Sequence, residues 1–221
     1  MNILILGPQA SGKGTQAEKL IEKYHLACVQ MGDILRKIMA RESDLGQKIK
    51  EFVNKGILVP DDVIIKVIND YLEGIGRFEG IVFDGFPRTL SQAEYFEKFL
   101  SQKGKKIDVV IYISLAREVT LKRLSARRTC ERCSATYNLV TKPPKKEGVC
   151  DNCGGKLVIR EDETPAAINT RLDYFEKNTK SLIEFYRGRG LVEEVDGNRP
   201  IEVIFEDIVD RLKKRGLVKD V

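Results

Sequence analysis

The stretch "ILILGPQASGKGTQ", residues 3–16, is the most informative segment of this chain about its fold. An apolar run leads into a glycine-rich loop that contains Lys13, and the spacing after it predicts a helix from Gly12 to Tyr24. A strand, loop and helix in this order bind an anion, because backbone N–H groups and the positive helix end point at it. The stretch therefore predicts a phosphate-binding loop, with an ordinary glycine-rich turn as the alternative.

The end of this loop departs from the common pattern G-x-x-x-x-G-K-[ST], because Gly14 stands where Ser or Thr is usual and Thr15 comes one place later. A loop that ends Gly-Lys-Gly-Thr-Gln resembles that of nucleoside monophosphate kinases more than that of generic ATPases. We expect Lys13 to reach the outer phosphates of the nucleotide.

Length and composition restrict the class of protein. The 221 residues carry a net charge of +5, and both signs are interspersed along the chain. The length excludes a large multidomain protein. The interspersed charges give no sign of a polybasic membrane anchor or of a tail that binds nucleic acid. The first apolar run is too short for a signal peptide, and no segment approaches the roughly 18 apolar residues of a membrane span. We expect a cytoplasmic protein without membrane contact.

Strands and helices alternate along the chain. Further strands are predicted at 26–30, 80–84, 109–115 and 191–195. Further helices are predicted twice within 32–56, from Pro60, at 91–102, at 118–127, at 164–186 and from Ile201. This order predicts an α/β protein with a P-loop fold, in which helices flank a central five-stranded parallel sheet.

Four cysteines form the pattern C-x2-C-x16-C-x2-C, as Cys130, Cys133, Cys150 and Cys153. Such a ribbon supplies four soft thiolates for tetrahedral Zn²⁺, with iron or free thiols as the alternatives. Four protein ligands leave no open position, so we expect a structural metal. Cys28 is interpreted as a small buried residue rather than a fifth ligand.

Further motifs follow in the order found in adenylate kinases, a family that the sequence resembles over nearly its whole length. They are Gly32-Asp33-Ile34-Leu35-Arg36, Gly56-Ile57-Leu58-Val59-Pro60-Asp61, Asp84-Gly85-Phe86-Pro87-Arg88-Thr89 with Gln92-Ala93, and Asp196-Gly197. The cysteine-bearing segment resembles the zinc-containing lid found in part of the family. The resemblance implies a monomer that transfers a phosphoryl group reversibly from Mg²⁺-bound ATP to AMP, giving ADP.

The resemblance also implies the roles of individual residues. On the donor side these are Gly7, Gly12, Lys13, Gly14, Thr15, Arg123, Arg127 and Gly197. On the acceptor side they are Met31, Arg36, Val59, Gly85, Arg88, Gln92, Arg160 and Arg171. The implied catalytic residues are Lys13, Asp84, Arg88, Arg123, Arg127, Arg160 and Arg171.

Physical chemistry agrees with this assignment, because phosphoryl transfer brings two polyanions together and needs fixed cations more than a general base. Asp84 is placed to hold Mg²⁺ through its water shell, although it could simply initiate a turn. The amide of Gln92 both donates and accepts, as an adenine edge requires. His25 and Arg128 are interpreted as surface residues.

The resemblance divides the chain into three parts. Residues 1–30, 60–128 and 164–221 form the core, residues 31–59 the lobe that binds AMP, and residues 129–163 the zinc-binding lid. We call the second the acceptor lobe and the third the lid segment. Both are expected to close over the nucleotides. The arginines at the two ends of the lid segment would then converge on the phosphates: Arg123 and Arg127 at its start, and Arg160 and Arg171 at its end.

The chain departs from the family pattern in three places. Gln9-Ala10 replaces Pro-Gly in the loop, which adds a Cβ where the backbone conformation is demanding. Met31 replaces a Thr that contacts the acceptor base, so the base preference becomes an open question. The segment Arg160-Glu161-Asp162-Glu163 replaces Arg-x-Asp-Asp and keeps the charge.

Three alternatives remain from the sequence. A kinase that prefers UMP, CMP or GMP is favoured by Met31 and opposed by Gln92. A zinc-ribbon ATPase that binds nucleic acid would explain the cysteines and the basic charge, but the basic residues fall in phosphate-site motifs rather than along one exposed stripe. A purely structural zinc module leaves the glycine loop without a role.

Overall fold

The computed structural model describes residues 1–160 and 162–219, and the strands of these residues belong to two sheets. The strands are β1 (Asn2–Leu6), β2 (Ala27–Gln30), β3 (Ile81–Asp84), β4 (Val109–Ser114), β5 (Arg127–Cys130), β6 (Thr136–Asn138), β7 (Leu157–Val158) and β8 (Val192–Asp196). The central sheet has the order β2-β3-β1-β4-β8, and all of its pairings are parallel. The predicted five-stranded parallel sheet is confirmed.

Helices follow most of these strands. They are α1 (Lys13–Tyr24), α2 (Met31–Met39), α3 (Asp44–Lys55), α4 (Asp61–Ile75), α5 (Leu90–Gln102), α6 (Arg117–Ser125), α7 (Pro165–Tyr174), α8 (Lys180–Arg187) and α9 (Ile201–Lys214). Among the described residues, no helix has the length and apolar character that crossing a bilayer requires.

Strand β1 lies at the centre of the sheet and is buried on both faces. Ile3 and Ile5 point into a cluster with α1 and α9, whereas Leu4 and Leu6 point into a larger cluster with α4, α5 and α8. Side chains alternate along a strand, so a run that is apolar at every position fits a sheet covered on both faces. This explains why the first strand reads as a continuous apolar run.

The parallel arrangement decides where a site can form. The carboxyl ends of parallel strands lie at one edge of the sheet, and ligands of open α/β sheets bind outside that edge. The glycine loop follows β1 at this edge, Asp84 ends β3, and Asp196 ends β8.

The acceptor lobe consists of α2 and α3 and packs on the larger apolar cluster through Ile49 and Val59. Within residues 31–59, all of which the structure describes, no strand forms, as the spacing predicted. Gly56 ends α3 with φ 71°, and a Cβ there would lie 2.6 Å from the carbonyl oxygen of Ala167. Only glycine permits this close approach to α7.

Strands β5, β6 and β7 form a small antiparallel sheet in the lid segment and around it. The prediction that α6 continues to Arg127 is wrong, because the helix ends at Ser125 and Arg127 begins β5. Arg127 and Arg128 pair with Asn138 and Tyr137 across the ladder. The helical spacing of nearby residues does not predict this pairing with β6. Tertiary contacts therefore override the helix that the local spacing predicts.

The long helix predicted at 164–186 is present but interrupted. Thr164 caps it by accepting a hydrogen bond from the backbone of Ala167 at 3.2 Å. A π-helical turn, Phe175–Thr179, separates α7 from α8. Its Thr179 hydroxyl lies 3.4 Å from the carbonyl oxygen of Arg88, which ties the turn to the loop before α5.

Three smaller predictions can be compared with the structure. His25 is exposed and ends α1 in a left-handed conformation, so its interpretation as a surface and capping residue is confirmed. Cys28 lies in β2 but is only half-buried. Arg128 donates to backbone carbonyls of α6 and β5 and is half-buried rather than solvated. Glu161 lies outside the described residues.

Candidate active site

A large cleft of about 1050 Å³ opens at the carboxyl edge of the central sheet. This volume lies just above the roughly 300–1,000 Å³ that is usual for a pocket that holds one small ligand. The predicted residues that line it are Gly7, Gly12, Lys13, Gly14, Thr15, Met31, Arg36, Val59, Asp84, Gly85, Arg88, Gln92, Arg123, Arg127, Arg160 and Arg171. Residues from the core, the acceptor lobe and the lid segment therefore share one cavity.

Gly197 is the exception among the predicted residues, since it is buried and is not among the described residues that line the cleft. A Cβ at this position would lie 2.9 Å from the carbonyl oxygen of Ser114. Its own carbonyl accepts a hydrogen bond from Arg123 Nη2 at 2.9 Å. Gly197 thus contacts the cleft through Arg123.

Backbone conformation shapes the glycine loop. Gly12 caps α1 with φ 98°, and a Cβ on Gly7 would lie 2.4 Å from the carbonyl oxygen of Ile113. Ala10 has φ 55°, a left-handed conformation that glycine adopts without strain. The expectation that the replacement of glycine here adds a Cβ at a demanding position is confirmed.

The ammonium group of Lys13 lies inside this loop and donates to the carbonyl oxygens of Gly7 at 2.8 Å and Pro8 at 2.7 Å. Burial lowers the pKa of Lys13 to about 8, and the repulsion of Arg88 and Arg127 acts in the same direction against the attraction of Asp84. Burial likewise raises the pKa of Asp84, which Lys13 and Arg88 oppose. The base of the cleft therefore holds several charges that act on one another.

Gln92 is 2 % exposed and lies at the start of α5. Its Oε1 accepts from the backbone N–H of Arg88 at 2.8 Å, while Arg88 Nε donates to the carbonyl oxygen of Gly85 at 2.8 Å. Arg36 forms an ion pair with Asp33 one turn earlier in α2. The loop between β3 and α5 thus holds both the arginine and the amide in place.

Arg123 is held by backbone carbonyls, because its Nη1 lies 3.3 Å from the oxygen of Ala10 and its Nη2 contacts Gly197. The residue lies at the end of α6, where the helix leads into the lid segment. Burial lowers the pKa of its guanidinium, and Asp196 opposes this shift. This arginine joins the phosphate loop to the base of the lid segment.

The arginines on both sides of the lid segment meet a pair of carboxylates. Arg160 forms hydrogen bonds with Asp162 at 2.8 Å and 2.6 Å, and Arg171 Nη2 lies 2.9 Å from the same carboxylate. Arg127 forms an ion pair with the buried Glu163. Although burial acts in the opposite direction, Arg160 and Arg171 lower the pKa of Asp162 to about 2.

The electrostatics of Arg127 reflects this convergence of cations. Burial and the repulsion from Arg160, Arg171 and Arg36 together lower the pKa of Arg127 to about 9, against the attraction of Asp162. Arg36 belongs to the acceptor lobe and Arg171 to α7, so cations from distant parts of the sequence act on one another. Such a concentration of positive charge suits a polyanionic ligand.

The four predicted cysteines come together in the lid segment. Their sulfur atoms all lie within 4.8 Å of one another, and Cys28 is not among them. The pairs Cys130–Cys153 and Cys133–Cys150 are each separated by 3.5 Å. Tetrahedral Zn–S bonds of about 2.3 Å place sulfur atoms about 3.8 Å apart, so the arrangement fits such a metal.

Tyr137 supports one of these sulfur atoms. Its buried hydroxyl lies 3.4 Å from Cys150 Sγ and accepts a hydrogen bond from the backbone N–H of Asp151 at 2.8 Å. The hydrogen bond from Tyr137 lowers the pKa of the Cys150 thiol to about 6. A metal-binding cysteine must be deprotonated, so this contact favours metal binding.

Sequence reasoning missed the carboxylates that partner the arginines. It predicted only that Asp162 and Glu163 keep the negative charge of the segment after Arg160. It did not predict that these carboxylates hold arginine side chains. It also missed Arg199, which lines the cleft and pairs with Asp207 at 2.6 Å. The only available signal for Arg199 was its position two residues after Gly197.

Comparisons with known proteins give a consistent result. A family model described as adenylate kinase matches residues 5–191. A protein described as adenylate kinase from Archaeoglobus fulgidus is 42% identical over 97% of this chain and 99% of its own length. Proteins with the same description from Lachnoclostridium phytofermentans and Thermoanaerobacter sp. are 43% and 40% identical over 97% and 98% of this chain, and over 99% and 100% of their own lengths.

Proposed function

This chain belongs to the adenylate kinase family, and from that membership we propose how its own side chains carry out phosphoryl transfer between ATP and AMP. The chain is a nucleoside monophosphate kinase that converts ATP and AMP reversibly into ADP. The observation that carries the proposal is the large cleft in which cations from the core, the acceptor lobe and the lid segment meet.

The donor nucleotide binds along the glycine loop. Backbone N–H groups between Gly7 and Thr15 hold its phosphates at the positive end of α1, and Lys13 contacts the outer phosphates. Arg123 and Arg127 contact the donor from the base of the lid segment. The contact of Arg123 with the loop carbonyl of Ala10 supports this placement.

The acceptor nucleotide binds between the acceptor lobe and the loop after β3. Arg36 and Arg88 contact its phosphate, because planar guanidinium groups match pairs of phosphate oxygens. Met31, Val59 and Gly85 line the base pocket. The amide of Gln92 recognises the edge of the adenine base.

The transferring phosphoryl group passes between the two nucleotides, where Arg160 and Arg171 stabilise its charge. Catalysis depends on position and charge, because the attacking atom is already an anionic phosphate oxygen and needs no general base. The carboxylates of Asp162 and Glu163 hold the arginines in place until phosphate oxygens take over some of these hydrogen bonds.

Mg²⁺ accompanies ATP in this reaction, and the chain offers Asp84 for it. A carboxylate oxygen is a ligand that Mg²⁺ prefers, and the ion usually keeps several of its waters. Asp84 lines the cleft at the end of β3, beside the glycine loop. When bound, the ion neutralises charge on the phosphates.

Zinc is the metal that we propose for the four cysteines of the lid segment, with iron as the alternative. Four thiolates leave no open position, so the metal is structural. The lid segment has only a small apolar cluster around Cys130, Tyr137, Cys150 and Leu157, which supports the need for a metal.

We propose that the acceptor lobe and the lid segment close over the core, with the boundaries given above. The arginines Arg123 and Arg127 precede the lid segment and Arg160 and Arg171 follow its cysteines, so closure brings both pairs to the phosphates. We also propose a cytoplasmic monomer that does not bind nucleic acid, because one chain supplies the whole cleft and the basic residues of the predicted phosphate-site motifs line it.

An acceptor panel tests the proposed function. Purified protein is given ATP, Mg²⁺ and one of AMP, GMP, UMP or CMP, and ADP is measured by a coupled assay. We expect kcat/KM to be highest with AMP, and the absence of AMP-dependent ADP formation would refute the proposal. Elemental analysis of the same sample is expected to give one zinc per chain, and light scattering a monomer.

An oligonucleotide control separates the kinase from the nucleic-acid-binding alternative. We expect no saturable binding of a fluorescent single-stranded oligonucleotide at micromolar protein and physiological salt. Salt-dependent binding at that concentration, with ATP hydrolysis that does not require a monophosphate, would support the alternative instead.

A further inference from the structure

The side-chain amide of Gln92 is held from behind by Asp61, a residue that does not line the cleft among the described residues. We propose that Asp61 is a positioning residue that fixes this amide in one orientation and thereby selects acceptor bases with an amino group beside an unprotonated ring nitrogen. The inference rests on the proposed function, in which Gln92 recognises the acceptor base.

Two opposite partners determine the orientation of the Gln92 amide. Its Oε1 accepts from the backbone N–H of Arg88 at 2.8 Å, and its Nε2 donates to Asp61 Oδ1 at 2.7 Å. A backbone N–H can only donate and a carboxylate can only accept. Rotation of the amide by half a turn would therefore place donor against donor and acceptor against acceptor, in a residue that is 2 % exposed.

Asp61 itself is held by neighbouring hydroxyl groups. Its Oδ2 accepts from Thr89 Oγ1 at 3.2 Å and also from the hydroxyl of Ser91. Thr89 caps α5 by accepting from the backbone N–H of Gln92 at 3.2 Å. Since Asp61 is the first residue of α4, these contacts connect the starts of two helices behind the base pocket.

The fixed amide leaves one lone pair on Oε1 and one hydrogen on Nε2 for a ligand. A base that offers an amino hydrogen next to a bare ring nitrogen, as adenine and cytosine do, matches this pair. A base with a carbonyl oxygen next to a ring N–H, as hypoxanthine, guanine and uracil have on their Watson–Crick edges, presents the reverse pattern there. The amide would have to rotate to bind it.

Met31 makes the fixed orientation of the Gln92 amide more important for the selection of the acceptor base. Its thioether side chain lines the cleft and is 2 % exposed, and it offers no hydroxyl for the acceptor base. Discrimination between amino and oxo bases then depends more heavily on Gln92 and on the carboxylate that orients it.

The test compares AMP with IMP, which differ only in the pair of groups that the amide reads. We expect wild-type kcat/KM to favour AMP by about 100-fold, because a buried polar group left unpaired is costly. In Asp61→Asn the new side chain can present either its oxygen or its NH₂ to Gln92. We expect the AMP/IMP ratio to fall at least about tenfold, mainly through a higher KM for AMP and a lower KM for IMP.

Matched variants complete the experiment. Asp62→Asn removes the neighbouring exposed acid in the same helical turn and should keep the wild-type ratio. Asp61→Glu keeps an obligatory acceptor and should recover part of the ratio. Because the ratio does not depend on the concentration of active enzyme, it remains valid if a variant folds in lower yield.

The outcomes separate the inference from the proposed function. If the wild type forms no ADP from AMP, the proposed function fails. If the wild type uses AMP and Asp61→Asn keeps the wild-type AMP/IMP ratio, the function stands and this inference is overturned. An equal fall of the ratio in Asp61→Asn and Asp62→Asn would also overturn it, since the effect would then be one of net charge.

Discussion

Arg171 and Asp162 form an ion pair in which Nη2 lies 2.9 Å from Oδ2, and the same nitrogen lies 2.8 Å from the carbonyl oxygen of Val53. One guanidinium therefore connects the end of the lid segment, α7 and the acceptor lobe. Charge-assisted hydrogen bonds are stronger than neutral ones, and a planar guanidinium can serve several acceptors together.

Arg171→Lys is expected to impair catalysis although it keeps the charge. An ammonium carries its three donors on one nitrogen and lacks the planar fork of a guanidinium, so it does not reproduce the geometry of the contacts with Asp162, Val53 and a phosphate group. The loss of one hydrogen bond to a charged group is worth about 1.5–3 kcal/mol, so kcat/KM should fall by about 10- to 100-fold. Steady-state kinetics checks this, with Arg128→Lys as the control because Arg128 donates only to nearby backbone carbonyls. Equal kinetics in the two variants would contradict the role of Arg171.

Lys13→Ala should abolish most of the turnover and leave the fold intact. In the proposed mechanism the ammonium at the base of the cleft stabilises charge on the transferring group, and the loss of one such donor costs about 10²- to 10³-fold in kcat. The control is Lys122→Ala, at an exposed position of α6. Near-wild-type kcat in Lys13→Ala, with an unchanged thermal melt, would remove Lys13 from the catalytic residues.

The pKa of Lys13, which burial lowers to about 8, gives a pH dependence. We expect kcat/KM, which reports the free enzyme, to fall as pH rises above about 8 because the ammonium loses its proton. In Lys13→Arg this fall should move to higher pH. A pH–rate profile with the same alkaline limb in both proteins would show that another group is responsible.

The lowered pKa of Lys13 also predicts the direction in which the free energy of unfolding changes with pH. The unfolded chain binds more protons than the folded one between about 8 and the ordinary lysine pKa of 10.5, so the contribution of Lys13 to stability rises with pH across this window. The free energy of unfolding of Lys13→Met relative to wild type should therefore decrease over the same range. Urea titrations at several pH values measure this difference.

Removal of the metal should affect stability more than turnover. Chelation or Cys150→Ala takes away the constraint on a lid segment that has only a small apolar cluster, so the melting temperature should fall while kcat at moderate temperature changes only a few-fold. Cys28→Ala is the matched control, because Cys28 lies outside the cluster of four sulfur atoms. A melting curve that a chelator leaves unchanged would argue against a structural metal.

Ala10→Gly should stabilise the chain. The left-handed conformation at φ 55° costs an alanine about 1–2 kcal/mol, and glycine loses about 0.4–1 kcal/mol of this gain through the entropy of the unfolded chain. We expect a net gain of up to about 1.6 kcal/mol in denaturant titrations. Ala40→Gly, at a right-handed position with φ −74°, should destabilise instead, and a loss of stability in both variants would contradict the strain at Ala10.

Much of the site was predictable from short segments. The residues of the glycine loop are near neighbours in the sequence, and so are the residues around Arg88 and the two cysteines of each C-x2-C pair. The parallel sheet then brings the glycine loop and the loop after β3 to the same edge. The fold class follows from the same local patterns, because apolar periodicity and turn residues act over a few positions. Roles of single residues came from the family resemblance and await the experiments above.

The strand–loop–helix unit, the succession of strands and helices along the chain and the spacing of the four thiols are all readable from the sequence, since each depends on near neighbours. Three features come from tertiary packing alone: Arg127 begins a strand, Asp162 binds Arg171, and Asp61 accepts a hydrogen bond from Gln92. These contacts join residues 9 to 31 positions apart through the way the segments pack. No local pattern encodes such pairings, because the free energy of a buried hydrogen bond or ion pair depends on which groups the fold brings together.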